Sequence, residues 1–400
     1  MSIAARLDRL RSGIPGRTHA SARASRAGST PACTAQPPRD AASELADALE
    51  GRAVDGVVQI TRDWQPAEAD AHPSQALDRL PEVFGAGDAD WIYIDTETTG
   101  LSGGVGTLAF MVGIARHRAQ GGLQVRQFVL PGFSNERALL KQLLDCIGSG
   151  ALIVSYNGKC FDLPLLQARL ALQRIDTDLT AMRHLDLMYS VRRAFRRRWP
   201  DCRLQSAEQR LLGFFREDDL PGAEAPAAWQ AWLRQRDARA LQRVAEHNFH
   251  DLVSLARLHS LLPAIYEGSY LAADVDHGAV GRAWQKAGYE RHACSLWESG
   301  VERLDERDSL DLAAAYRRNG EWVRAEAVWL KLFEAGSQTA ACELSKFYEH
   351  RLRDPLRAIE FADVCAEPER SRRLGRLQEK LGVSGQLSFW PPGSVAKAMK

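Results

Sequence analysis

The feature that most constrains this chain is the order in which its hydrophobic periods change between residues 89 and 195. Trp91-Ile92-Tyr93-Ile94 is a short apolar run, which reads as a buried strand. Leu108 to Ala115 and Leu123 to Leu130 read as two more, with Gly121-Gly122 as the tight turn between them. The spacing then predicts a helix over 136–147. Leu139, Leu140, Leu143, Leu144 and Ile147 fall on one face, and Ser134 or Asn135 is the expected cap. Residues 151–156 predict a fourth strand, 162–172 a helix and 184–187 a short fifth strand, with helices after it. Three meandering strands followed by alternating helix and strand predict an α/β domain: a mixed sheet flanked by helices.

The rest of the chain reads differently. Residues 1–40 carry seven Arg against two Asp among Ala, Ser, Pro and Gly. Such a stretch buries too little apolar surface to offset its ordering entropy, so 1–50 is expected to be a disordered basic arm. Residues 51–88 form a lead-in whose one strand-like run is Val57-Val58-Gln59-Ile60. Beyond about residue 277 a repeat replaces the strands. Trp284, Tyr316 and Tyr348 recur every 32 residues; Ala293, Ala325 and Ala358 recur in register, as do Trp297 and Trp329. An aromatic in the first helix and Ala at the close packing point resemble tetratricopeptide-like helical hairpins. The expected division is an α/β domain over 89–263, a linker over 264–280, an all-α tetratricopeptide-like repeat domain over 281–382 and a tail over 383–400.

Charge excludes some functions. Lys and Arg total 52 against 51 Asp and Glu, a net charge of +1, so polyanion binding must come from local clusters. No run of 18 apolar residues exists, which argues against a membrane span. Seven scattered cysteines with no Cys-x-x-Cys pair argue against a zinc ribbon and a disulfide framework and fit a reducing, cytoplasmic setting.

Three constellations carry chemistry. Asp95-Thr96-Glu97-Thr98-Thr99-Gly100 follows the first strand directly. Alternation aims Asp95 and Glu97 to one side, where two carboxylates repel unless a hard divalent cation joins them. Alone, the pair is equally an exposed strand end. Asn157-Gly158-Lys159-Cys160-Phe161-Asp162 follows the fourth strand, where Asp162 alone would read as a helix-capping acid. Glu246-His247-Asn248-Phe249-His250-Asp251 lies in a helix expected over 240–261. His247 and Asp251 are i and i+4 there, beside the stripe of Leu241, Val244, Asn248, Leu252 and Leu255. Alone, they are a solvated His–Asp pair.

Taken together, Asp-x-Glu, Asn-x-x-x-Phe-Asp and His-x-x-x-Asp resemble the three motifs of the DEDD exonuclease superfamily, and more closely the bacterial YprB-type ribonuclease-H-like family. The resemblance spans roughly residues 50–380 and is most specific at 91–113. It implies a ribonuclease-H-like fold joined to tetratricopeptide-like repeats. It also implies a metal-dependent 3′–5′ exonuclease in which Asp95, Glu97, Asp162 and Asp251 ligate two Mg²⁺ or Mn²⁺ ions. In that superfamily the base is usually a His five residues before the last Asp or a Tyr four before it. Here Glu246 holds the first position and His247 the second. Helical geometry turns His247 toward Asp251, which makes it the candidate general base, with His250 structural.

Substrate contacts are expected from Thr98, Gly103, Gly104, Asn157 and Lys159. The glycines permit close backbone approach, although a plain bend between strands has the same composition. Residues 188–216 hold eight Arg, and Arg192 and Arg196 are the candidate contacts to a nucleic-acid backbone. The same run fits a solvated helix face. The partners expected are DNA or RNA, and a protein partner for the repeats. A ribonuclease-H-type endonuclease and a non-catalytic nucleic-acid adaptor are the competing functions.

Overall fold

A computed structural model describes residues 40–66, 77–87, 89–100, 106–217, 219–270 and 274–382. The basic arm up to residue 39 and the tail from 383 lie outside the described residues. Residues 41–48, assigned to the arm by composition, instead form helix α1 (Ala41–Ala48), capped by the Asp40 carboxylate, which accepts from the Ala42 and Ser43 amides at 2.7 and 2.9 Å. Leu45 and Ala46 bury its apolar side.

The lead-in belongs to the sheet. β1 (Arg52–Val54) and β2 (Val57–Trp64) form a hairpin around Asp55-Gly56, both with positive φ, as a two-residue turn of this kind requires. β2 runs four residues past its apolar stretch, because Thr61–Trp64 pair with β5 at a polar, half-exposed edge that has no hydrophobic signature. The meander then follows: β3 (Trp91–Thr98), β4 (Ala109–His117) and β5 (Leu123–Val129). After α2 (Glu136–Ile147) come β6 (Leu152–Ser155), α3 (Asp162–Leu172), β7 (His184–Asp186), α4 (Leu187–Phe195) and the single turn α5 (Leu204–Ala207). The strand order is β1-β2-β5-β4-β3-β6-β7, antiparallel from β1 to β3 and parallel across β3-β6-β7. This is the expected mixed sheet. The expected cap of α2 is absent: Asn135 ends a 3₁₀ turn and makes no side-chain capping bond.

Each face of the sheet carries helices. Ile92, Ile94, Phe110, Val112 and Phe128 pack against α1, α2, α3 and α6 (Ala225–Gln235). Trp229 and Trp232 of α6 donate their indole N–H groups to the Leu130 and Pro131 carbonyls at 2.8 and 3.0 Å, which ties that helix to the end of β5. Trp91 and Tyr93 point to the other face, against α4 (Leu187–Phe195) and the 28-residue α7 (Arg239–Tyr266). Along β3 the alternation continues from Trp91 and Tyr93 to Asp95 and Glu97, so both acids lie on the α7 side.

Among the described residues, seven further α-helices follow. α8 (His277–Lys286) and α9 (Glu290–Ser299), α10 (Glu306–Arg318) and α11 (Trp322–Glu334), and α12 (Gln338–Lys346) and α13 (Pro355–Ala362) are successive hairpins, and α14 (Glu369–Lys380) ends the array. The recurrent Ala293, Ala325 and Ala358 are fully buried, as are Trp284, Trp297 and Trp329. Residues 264–266 complete α7, and residues 277–280 already belong to α8. The helical array and the α7 face of the sheet share one hydrophobic core. The Trp284 indole donates to the Tyr266 carbonyl at 2.9 Å, and the Asp276 amide to that of Ala194 at 2.8 Å.

Among the cysteines, Cys342 and Cys365 are brought next to one another by the last hairpin, with Cα atoms 5.3 Å apart. Cys146, Cys160, Cys202 and Cys294 are free. Among the described residues, no helix is long and apolar enough to cross a membrane.

Candidate active site

The site forms at the carboxyl end of β3, where α7 crosses the sheet. Asp95, Gly113 and Gln127 are cross-strand neighbours on β3, β4 and β5, and the buried Asn248 of α7 lies over that row. Its amide donates to Asp95 Oδ2 at 2.8 Å and accepts from Gln127 Nε2 at 2.8 Å. Only glycine fits beneath it: a Cβ on Gly113 would stand 2.1 Å from Asn248 Oδ1. Asn248, read from sequence as part of an apolar stripe, is therefore the residue that sets the orientation of Asp95.

Asp162 arrives from the other side as the first residue of α3. Thr96, which faces away from Asp95, donates its hydroxyl to Asp162 Oδ1. The approach depends on Asp186 at the end of β7. Its buried carboxylate accepts from the amides of Asn157 (2.8 Å), Lys159 (3.1 Å) and Met188 (3.1 Å), holding the 157–159 loop with Asn157 at φ 69°. Gly158 sits under this loop, where a Cβ would meet Ser155 Oγ at 2.3 Å and Asp162 Oδ2 at 3.2 Å.

The four acids come within electrostatic reach of one another. Burial, then the charges of Asp251, Asp162 and Glu97, hold Asp95 well above the ordinary carboxylate range, opposed by the Asn248 amide. Burial, then Asp251, Asp162 and Asp219, do the same to Glu97 against the Arg216 charge. Burial pushes Asp162 up to about 6, with the Thr96 hydroxyl opposing. Buried acids that repel one another are the arrangement a divalent cation relieves. The donor set, all carboxylate oxygen, fits a hard ion such as Mg²⁺ or Mn²⁺. Among the described residues, no three acidic, cysteine or imidazole groups are already spaced to share one ion. Asp95, Asp162 and Asp251 each have one oxygen tied to a protein donor, which leaves the other oxygen of each available.

The third motif contains more than its spacing suggested. His247 Nε2 lies 3.6 Å from Asp251 Oδ2 across one helical turn, while Nδ1 contacts Asp219 Oδ1 at 2.6 Å. Arg216, almost fully buried, forks between Glu208 and Asp251 and reaches Asp219 at 3.3 Å. Glu208, Arg216 and Asp219 were not singled out from sequence as site residues, because nothing in a segment of short turns signals that it folds against α7. Glu246, at the position five residues before Asp251, is paired with Arg62 and with His250 Nε2 at 3.2 Å.

The residues expected to contact substrate divide. Gly103 and Gly104 lie outside the described residues. The Thr98 hydroxyl donates to the Gly100 carbonyl at 2.9 Å, and the side chain is buried. Asn157 and Lys159 are exposed at the loop leading into Asp162. Asn157, Arg192 and Arg196 line a cavity of about 520 Å³ with Tyr156, Met188 and Arg203. Neither the Arg192 nor the Arg196 guanidinium has a hydrogen-bond or ion-pair partner among the described residues. Other members of the arginine cluster are committed internally: Arg193 pairs with Glu82, and Arg197 with Asp305 at 3.1 Å.

A mixed sheet with acids at the end of its first meander strand, another opening the helix after β6, and a last one on a crossing helix defines a ribonuclease-H-like domain. A sequence model of the RNase_H superfamily matches residues 92–262. Over 281 residues the chain is 31% identical to the uncharacterized protein YprB of Bacillus subtilis (strain 168), covering 68% of either chain. The chain belongs to the family of YprB, and its residues 92–262 form the part that matches the RNase H superfamily.

Proposed function

We propose that the chain is a metal-dependent nuclease that hydrolyses nucleic-acid phosphodiesters as a 3′–5′ exonuclease with two divalent ions. The observation that supports this reading is the convergence of Asp95, Glu97, Asp162 and Asp251, from β3, α3 and α7, into one group of mutually repelling acids. These four residues would hold the ions. So placed, Mg²⁺ or Mn²⁺ supplies an activated water and neutralises charge on the leaving oxygen. The chain's own residues do the rest. Asn248 and Thr96 orient Asp95 and Asp162, and His247 takes the proton of the attacking water. Arg192, Arg196, Lys159 and Asn157 draw the substrate backbone to the rim of the site as unpaired or exposed groups. The helical hairpins, tetratricopeptide-like in their 32-residue register, present a surface to a protein partner, and the reducing cytosol is the proposed setting.

The test is cleavage of end-labelled single- and double-stranded DNA and RNA with Mg²⁺ or Mn²⁺. Stepwise loss from the 3′ end is expected, and Asp95→Ala should abolish it while the protein stays folded. Wild-type turnover by Asp95→Ala would defeat the assignment, and cutting of a circular single strand would establish an endonuclease instead.

A further inference from the structure

We infer that Asp219 is the positioning residue of this site: it fixes the tautomer of His247 so that the Nε2 lone pair, not an N–H, faces the acid cluster. The inference rests on the nuclease reading for its consequence in catalysis, but its structural content stands apart from it.

The argument begins with what each group can do. A carboxylate only accepts hydrogen bonds, and a guanidinium only donates them. His247 Nδ1 has one of each beside it: Asp219 Oδ1 at 2.6 Å and Arg216 Nη1 at 3.1 Å. They demand opposite states of that nitrogen. The Asp219 contact requires Nδ1–H, whereas a bond from Arg216 requires a bare Nδ1. The shorter contact, with a charged acceptor, is the stronger one. A neutral ring with its proton on Nδ1 leaves the lone pair on Nε2. That nitrogen faces the side where the acids converge and lies 3.6 Å from Asp251 Oδ2, beyond hydrogen-bonding distance, so no bond to that carboxylate holds a proton on it. Were Asp219 absent, Arg216 would be the remaining partner at Nδ1, and the ring would turn Nε2 into a donor.

Arg216 is itself held in place. Its Nε donates to Glu208 Oε2 at 3.0 Å, its Nη2 bonds both Glu208 and Asp251, and its Nη1 reaches Asp219 Oδ2 at 3.3 Å. Burial works against its charge, but Asp251 and Glu208 outweigh that and raise its pKa. Substituting Arg216 would strand Glu208, which is wholly buried, as an unpaired charge. Asp219 is about one-fifth exposed and sits on a loop, so it is the residue to change.

The experiment uses the full chain with ¹⁵N-labelled histidine, in EDTA at pH 8, with the His247 signals identified by their loss in His247→Gln. Wild type should show a protonated Nδ1 and a bare Nε2. In Asp219→Ala the two should exchange roles. With Mn²⁺ and a nucleic-acid substrate, Asp219→Ala should lower kcat by roughly 10²–10⁴-fold, the range a positioned base supplies. KM, and Mn²⁺ affinity by calorimetry, should stay within about twofold. A wild-type ring carrying its proton on Nε2 overturns the inference on its own, even if the variant does not fold. So does an unchanged tautomer in Asp219→Ala, or a fall in Mn²⁺ affinity that matches the fall in kcat. A wild-type protein that cleaves nothing defeats the nuclease reading, and the tautomer spectra then still decide the role of Asp219.

Discussion

Replacing Gly113 by alanine should damage the site from beneath without touching an acid. The added Cβ would lie 2.1 Å from Asn248 Oδ1 and 2.6 Å from Leu252 Cδ1, against 3.4–4 Å for ordinary contact. Both neighbours sit on α7, which packs against both faces' worth of core residues along its length and cannot simply lift away. The Asn248 amide must therefore retreat by about 1 Å, enough to break its 2.8 Å bonds to Gln127 and Asp95. Overpacking of this kind costs about 1–3 kcal/mol, and a buried polar group left without its partner adds about 1–3 kcal/mol. Gln127 keeps its 2.7 Å bond to the Ala245 carbonyl, so the low end of the second range applies and the total is about 2–4 kcal/mol. Urea denaturation in EDTA measures it. Asp95 should lose its orientation as well, and Mn²⁺ affinity should fall in calorimetry. Shortening the obstacle in Gly113→Ala/Asn248→Ser should recover much of the stability but not the metal affinity, because the serine cannot span to Asp95. A Gly113→Ala protein with the wild-type urea midpoint and Mn²⁺ affinity would refute the packing argument.

Three other outcomes are expected. The folded-state pKa of Asp162, pushed to about 6, lies above its unfolded value, so the ionised acid costs stability that the protonated acid does not. Apo wild type should then lose stability as pH rises from about 4 through 6, and Asp162→Asn in EDTA should melt higher than wild type at pH 8, with the gap closing below pH 4; equal melting temperatures at pH 8 would contradict it. Truncation after residue 266 should yield an unstable or aggregated protein, since it strips Trp284 from the Tyr266 carbonyl and α8 from α4; a folded fragment with the full-length melting temperature would show the repeats to be dispensable to the core. His247→Ala should slow the chemical step by roughly 10²–10⁴-fold at saturating Mn²⁺ with little change in Mn²⁺ affinity, read by single-turnover kinetics and calorimetry.

The amino-acid sequence by itself determined the order of strands and helices from β3 to β7, but not α1 or β1, because period-2 and period-3.6 patterns are local and survive without knowledge of neighbours. It also placed Asp95, Glu97, Asp162, His247 and Asp251 at strand ends and on one helical face, since those positions follow from local geometry alone. Only the tertiary structure decided what stands around them. Gly113, Gln127 and Asn248 form a unit because three strands pair in one register and a helix from more than a hundred residues later crosses them. Glu208, Arg216 and Asp219 lie in a stretch with little periodicity, and their roles exist only where that stretch folds against α7. The same holds for β2, whose polar half is a strand because β5 offers it hydrogen bonds. The continuous core between sheet and repeats is likewise a tertiary fact: apolar periodicity shows that a face will be buried, but the partner that buries it is chosen by contacts distant in sequence.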